Sequence, residues 1–179
     1  MEDNKSLLNS TKNILNYCKN PYVGLPEEVF LMVSALIPIV NVDLFVFNKN
    51  NEILLSWRED DFYEKAWSIP GGCLRFGETM VERAHKTALK EFGIDVSIIN
   101  GPVTVKDVIR GPLERLNFPN IRGHNIAIPF ICRLKDEDSI NVIESEPKYA
   151  GDLKWFSKIP KNILKVHDVY QDLFKFYGL

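Results

Sequence analysis

With 179 residues, 45% apolar and 26% charged, the chain has the composition of one soluble globular domain large enough to bury a core. A net charge of −2 leaves no broad cationic surface, which excludes non-specific nucleic-acid binding and confines phosphate recognition to a local site. Cys18, Cys73 and Cys132 share no metal-ligand spacing and read as reduced thiols of a cytoplasmic protein, and the Met-Glu-Asp-Asn-Lys start lacks the features of a secretory signal.

Residues 5–19 place Leu7, Leu8, Ile14, Leu15 and Cys18 near helical spacing, which predicts a first helix broken by Pro21 and Gly24. Leu25-Pro26-Glu27-Glu28 has the form of a helix start, with proline in the first turn and acids at the positive dipole end. Pro38 closes that second helix near Leu36. The run 29–47 is apolar and long enough to cross a bilayer, but Pro38, Asn41 and Asp43 interrupt it. A mid-membrane Asp costs roughly 2.5–3.5 kcal/mol, so a helix followed by a strand is predicted, with no membrane contact.

From Ile39 the period changes to two, with Val40, Val42, Leu44 and Val46 on one face and Asn41, Asp43, Phe45 and Phe47 on the other. The turn 48–51 leads into residues 53–57, and the two strands read as a hairpin. A further strand over 66–70 reaches the pair Gly71-Gly72. Residues 79–92 then carry Val81, Ala84, Ala88, Leu89 and Phe92 as a helical stripe, and Gly93 is placed to end that helix in the left-handed conformation. Strands are predicted over 96–99, 103–109, 125–133 and 152–156, a loop over 111–123, and a helix or helix pair over 160–177.

The most informative stretch runs from Trp67 to Asp95. Glu78 follows the Pro70-Gly71-Gly72 turn on a loop, and Glu91 lies on the helix just before Gly93. Gly72, Glu78, Glu91, Gly93 and Ile94 resemble the Nudix box, G-x5-E-x7-R-E-U-x-E-E-x-G-U, where U is a bulky aliphatic residue. The R-E-U-x-E-E segment reads Lys86-Thr87-Ala88-Leu89-Lys90-Glu91, so two of its three carboxylates are absent. The resemblance implies an α/β Nudix fold over residues 37–179, a mixed β-sheet sandwiched between helices, with residues 1–36 as an N-terminal helical extension. It also implies hydrolysis of a small nucleoside-diphosphate substrate with Mg²⁺, or Mn²⁺, as cofactor.

Mg²⁺ keeps several waters and often takes only one or two protein carboxylates. Glu91 with a backbone carbonyl of Gly71 or Gly72 is therefore sufficient as a metal site, the alternative being that Glu91 merely faces solvent. The resemblance assigns Glu78 a structural role, bracing its loop through Lys86. Lys90 is read as a solvated residue in preference to a phosphate contact, and in either role it disfavours clustered metals.

The departures from the box resemble those of the GDP-mannose mannosyl hydrolase subgroup. That subgroup keeps only the last glutamate, uses one Mg²⁺ and attacks the sugar's anomeric carbon. Asp43 and Arg58 match its substrate-contacting positions. Asp43 also sits on a strand too apolar to tolerate an unpaired carboxylate, so a structural ion pair with Arg58 weighs evenly against a ligand role. An arginine expected after the glycine pair is Cys73 here, and the expected general-base histidine before Trp155 is missing. Glu146, Asp152 and His124 remain as candidate bases, while His85 and His167 carry little signal. The expected function is hydrolysis of a nucleotide sugar such as GDP-mannose. The alternatives are a pyrophosphohydrolase acting at phosphorus and an inactive nucleotide-binding module. Oligomeric state is not legible, with a homodimer among the options.

Overall fold

The computed structural model describes residues 2–110 and 121–179, with backbone alone for residues 2 and 3. The loop expected over 111–123 lies largely outside the described residues. Helix α1 spans Glu2–Tyr17, a 3₁₀ turn spans Pro21–Val23, and α2 spans Glu27–Leu36 with Glu27 and Glu28 in its first turn. Ile37 is already extended (φ −136°), as a residue before proline must be, and the chain passes directly into strand β1, Ile39–Val46. The apolar run 29–47 is thus divided between α2 and β1. No helix among the described residues is long and apolar enough to cross a membrane.

Strands β2 (Ile53–Asp60), β3 (Tyr63–Ser68) and β4 (Gly71–Cys73) follow, then α3 (Met80–Phe92). Beyond it come β5 (Val96–Asn100), β6 (Lys106–Ile109), β7 (His124–Leu134) and β8 (Leu153–Phe156). A 3₁₀ segment, Lys165–Tyr170, runs into α4, Gln171–Tyr177. In the larger sheet β1 lies between β4, antiparallel, and β7, parallel, while β7 also pairs antiparallel with β5 and β6. The smaller sheet has the order β3-β2-β8.

The expected β1–β2 hairpin does not form, because β4 and β7 occupy both edges of β1. The chain instead changes sheets at residues 48–52. Asn48 Oδ1 accepts the amides of Asn50 and Glu52 at 2.9 Å, Asn51 adopts φ 61°, and a lone Phe47–Ile53 bridge remains of the hairpin. The period-two pattern of β1 correctly separates two cores. Val42, Leu44 and Val46 pack with Ala84, Ala88 and Phe92 of α3, whereas Phe45 and Phe47 pack with Trp67, Tyr170 and Phe174 on the opposite face. A mixed sheet between helices results. Val81 and Leu89, read as part of the α3 stripe, are about half exposed (48% and 52%).

Helix α3 has well-defined ends. The Thr79 hydroxyl oxygen accepts the Glu82 amide while the Glu82 carboxylate accepts the Thr79 amide, forming a capping box, and Gly93 ends the helix at φ 70°. These caps fix where the box residues stand relative to the Gly71-Gly72 turn.

Candidate active site

Register places Asp43 opposite Gly71, Val42 opposite Gly72 and Asn41 opposite Cys73. A β-carbon on Gly71 would collide with Asp43 Oδ1 and lie 2.8 Å from Asn41 Nδ2. One on Gly72 would collide with Thr87 Oγ1 and lie 3.2 Å from Arg83 Cδ. The glycine pair therefore lets β4 press against β1 and α3 together.

Glu78 is held beneath this turn. Its carboxylate accepts bonds from Arg83 Nε at 2.8 Å, Lys86 Nζ at 2.9 Å and the Arg75 amide at 3.0 Å. The Glu78 and Arg83 side chains are only 5% and 8% exposed, whereas Lys86 is 56% exposed. Burial pushes the carboxyl up, but these donors outweigh it and hold the pKa at about 2. Lys86 is thus an outer partner. The buried partner, Arg83, lies three residues ahead of the box's basic position, and the spacing gave no sign of it.

Above the turn lies a cavity of about 930 Å³, bounded by α2, β1, the end of β2, the glycine turn, α3 and the start of β7. Glu91, Lys90 and Thr87 all line it. These three α3 residues differ in exposure. Thr87 is 2% exposed against Gly72, Glu91 is 25% exposed, and Lys90 is 79% exposed with its Nζ 3.6 Å from Glu91 Oε1.

Among the described residues no three His, Cys, Asp or Glu side chains converge as a metal cluster. What is present beside the glycine turn are two oxygen groups suited to a hard cation: the Glu91 carboxylate and Thr87 Oγ1, which is buried with no hydrogen-bond partner. This fits a single ion that keeps most of its ligands as water and substrate oxygens.

Asp43 is 4% exposed, and its partners differ from the expected one. The Tyr170 hydroxyl donates to Oδ2 at 2.5 Å and the Asn41 amide donates to Oδ1. Burial raises its pKa to about 6 despite those bonds and the nearby Arg58 charge. Arg58 does not pair with it. The guanidinium instead bonds Asp60 at 2.5 Å and stacks 4.4 Å over the Tyr63 ring, where the β2–β3 turn holds it. Both Asp43 and Arg58 line the cavity.

The three candidate bases are not gathered here, and none of them lines the cavity. Asp152 accepts the Lys148 and Tyr149 amides at 2.7 and 3.0 Å, so it pins a loop of which only Ala150 and Gly151 reach the cavity. Glu146 is exposed. His124 faces Asp107 at 3.3 Å across the β6–β7 pairing.

The histidine that does reach the cavity is His167. Its Nε2 accepts the Ile69 amide at 3.1 Å, which leaves any ring proton on Nδ1, and burial lowers its pKa to about 3. Tyr170 and His167 reach the site from the far end of the chain, 127 positions beyond Asp43 in the case of Tyr170.

The glycine turn, the braced glutamate and Glu91 on α3 all come from the continuous stretch 71–91. A NUDIX domain model matches residues 38–159, more than half of the chain. The chain belongs to the Nudix family. A NUDIX-family hydrolase from Clostridium perfringens is similar in structure, with a TM-score of 0.54 and 17% identity over 78% of this chain and 95% of that one. A UDP-X diphosphatase gives a TM-score of 0.53 at 20% identity, covering 99% of this chain and 78% of the other. These two likenesses show the fold. In sequence, 83 residues are 30% identical to the low-salt glycan biosynthesis protein Agl8 of Haloferax volcanii. That match covers 46% of this chain and 53% of the relative, so the chain spans about half the length of the curated protein it matches.

Proposed function

We propose that this Nudix hydrolase cleaves a nucleotide sugar, releasing the sugar from a nucleoside diphosphate. The observation that carries this reading is the wall around Glu91. Its three box positions hold one carboxylate, a buried hydroxyl at Thr87 and an ammonium at Lys90. Such a wall accommodates the departing diphosphate, because its charges are no longer three clustered acids. A volume of about 930 Å³ is at the upper end of small-molecule sites and suits a ligand of nucleotide-sugar size. The relative's role in glycan biosynthesis points the same way.

In this reading Glu91, the turn carbonyls and Thr87 hold one Mg²⁺ or Mn²⁺. When bound, the cation supplies neutralisation of the diphosphate. Arg58, fixed by Asp60 and Tyr63, binds a phosphate oxygen. Asp43 orients the sugar and accepts the proton of the attacking water, a role that moves to it because Glu146, Asp152 and His124 lie outside the cavity. Tyr170 and Asn41 hold that carboxylate in place.

The test is a panel of nucleotide sugars and nucleotides with Mg²⁺ or Mn²⁺, run on the wild type and Glu91→Gln. The expected result is turnover of a nucleotide sugar by the wild type. Glu91→Gln should lose it by roughly 100-fold or more, a loss of about 2.7 kcal/mol in transition-state stabilisation, without a change in melting. Full activity of Glu91→Gln would remove Glu91 from the metal role.

A further inference from the structure

Five cationic side chains line the cavity in addition to its carboxylates: Arg58, Arg75, Arg83, Lys90 and Arg122. Arg75 is exposed and its guanidinium donates to the Val23 carbonyl at 2.5 Å, while Arg58, Arg83 and Lys90 each have an acid within 4 Å, namely Asp60, Glu78 and Glu91. Arg122 has none among the described residues. Its Nε is buried without a hydrogen-bond partner, a costly state for a guanidinium that presents donors in a fixed fork.

The local structure nevertheless fixes this side chain. Arg122 Cζ lies 4.5 Å over the Phe62 ring of the β2–β3 turn and 5.2 Å from the Phe30 ring centre of α2. The Arg122 amide donates to Ser34 Oγ at 3.2 Å, and Ser34 is itself 2% exposed on α2. The backbone at Arg122 takes φ 51°, a left-handed conformation that a non-glycine residue adopts at a cost of roughly 1 kcal/mol or more.

We propose that Arg122 is a substrate-binding residue whose guanidinium receives a phosphoryl oxygen of the diphosphate, so that helix α2 of the N-terminal extension builds one wall of the substrate site. The acid that Arg122 lacks among the described residues is then supplied by the substrate. An oriented arginine clamped between two rings loses little side-chain freedom on binding, and a charge-assisted bond forms to a group that water serves poorly in the free state. This assignment rests on the reading of the substrate as diphosphate-linked, but not on which bond is cleaved.

Inorganic pyrophosphate with Mg²⁺, titrated calorimetrically into the full chain, is the direct probe. The wild type is expected to bind it, Arg122→Gln to weaken binding by roughly 10- to 100-fold, and Arg122→Lys by less. Phe30→Ala keeps the charge but removes one ring. It should weaken binding several-fold, and it serves as the test if Arg122→Gln does not fold. With a turned-over nucleotide sugar, Arg122→Gln should raise KM more than it lowers kcat.

Wild-type affinity in Arg122→Gln, or in Phe30→Ala where the first variant does not fold, would overturn the assignment. So would a wild type that binds no pyrophosphate. Loss of pyrophosphate binding in Arg122→Gln, with no wild-type turnover of any nucleotide sugar, would support Arg122 while removing the sugar-hydrolase reading.

Discussion

Replacing Glu78 with Gln separates the scaffold from the chemistry, and the structure sets the size of the effect. The carboxyl has a pKa of about 2 against an ordinary 4.5, a difference of about 2.5 units. At 1.36 kcal/mol per unit this corresponds to about 3 kcal/mol of stability at neutral pH. A second route agrees, since removing one partner of a buried ion pair costs roughly 3–5 kcal/mol. Gln keeps an acceptor for one donor, which favours the lower end. A chain of this size loses roughly 2–4 °C of Tm per kcal/mol, so the variant should melt about 6–12 °C below the wild type. The sign with pH follows from a lowered carboxylate pKa. The contribution is fully present above about 4.5 and is lost as pH falls toward about 2. Thermal melting between those limits should show a steep acid limb in the wild type and a shallower one in Glu78→Gln. Equal melting temperatures at neutral pH, or identical acid limbs, would refute the bracing role.

Asp43→Asn should have the opposite effect on stability. Burial raises this carboxyl from 3.8 to about 6, so its ionised form opposes folding, and its cost grows as pH rises through that window. The 2.2-unit difference between those values corresponds to about 3 kcal/mol at most, reduced by one mismatched hydrogen bond. Melting in EDTA at neutral pH should rise by several degrees while nucleotide-sugar turnover falls, and a lower Tm would show that the ionised carboxylate is a net stabiliser. Lys90→Glu, on an exposed side chain, should slow nucleotide-sugar turnover by setting a second acid beside the departing diphosphate. Acceleration on that substrate would favour attack at phosphorus. Thr87 is a poor place for the same change, because a longer acid there would strike the Gly72 turn.

The sequence was most legible where periodicity and caps act locally. The alternation in β1 named both cores, and Thr79 and Gly93 bounded α3 to within a residue. Sheet pairing was less legible. Residues 39–57 look like a hairpin locally, and only competition from β4 and β7 for the edges of β1 separates the two strands. The site divides in the same way. Gly71, Gly72 and Glu91 are close in sequence and line one cavity, and Glu78 braces the loop between them, so a local pattern can name all four. Tyr170, His167 and Arg122 enter through tertiary packing alone, from segments with no motif of their own. Glu146 and Asp152 lie near Trp155 in sequence, yet neither lines the cavity, and the Asp152 carboxylate is taken up by the loop amides of Lys148 and Tyr149.

The most direct test of the proposed reaction is turnover of the best nucleotide-sugar substrate in ¹⁸O-labelled water, with products resolved by mass spectrometry and ³¹P resonance. Cleavage at the sugar carbon predicts label in the free sugar and an unlabelled nucleoside diphosphate. Label in a phosphate, with a sugar phosphate and a nucleoside monophosphate as products, would contradict the account.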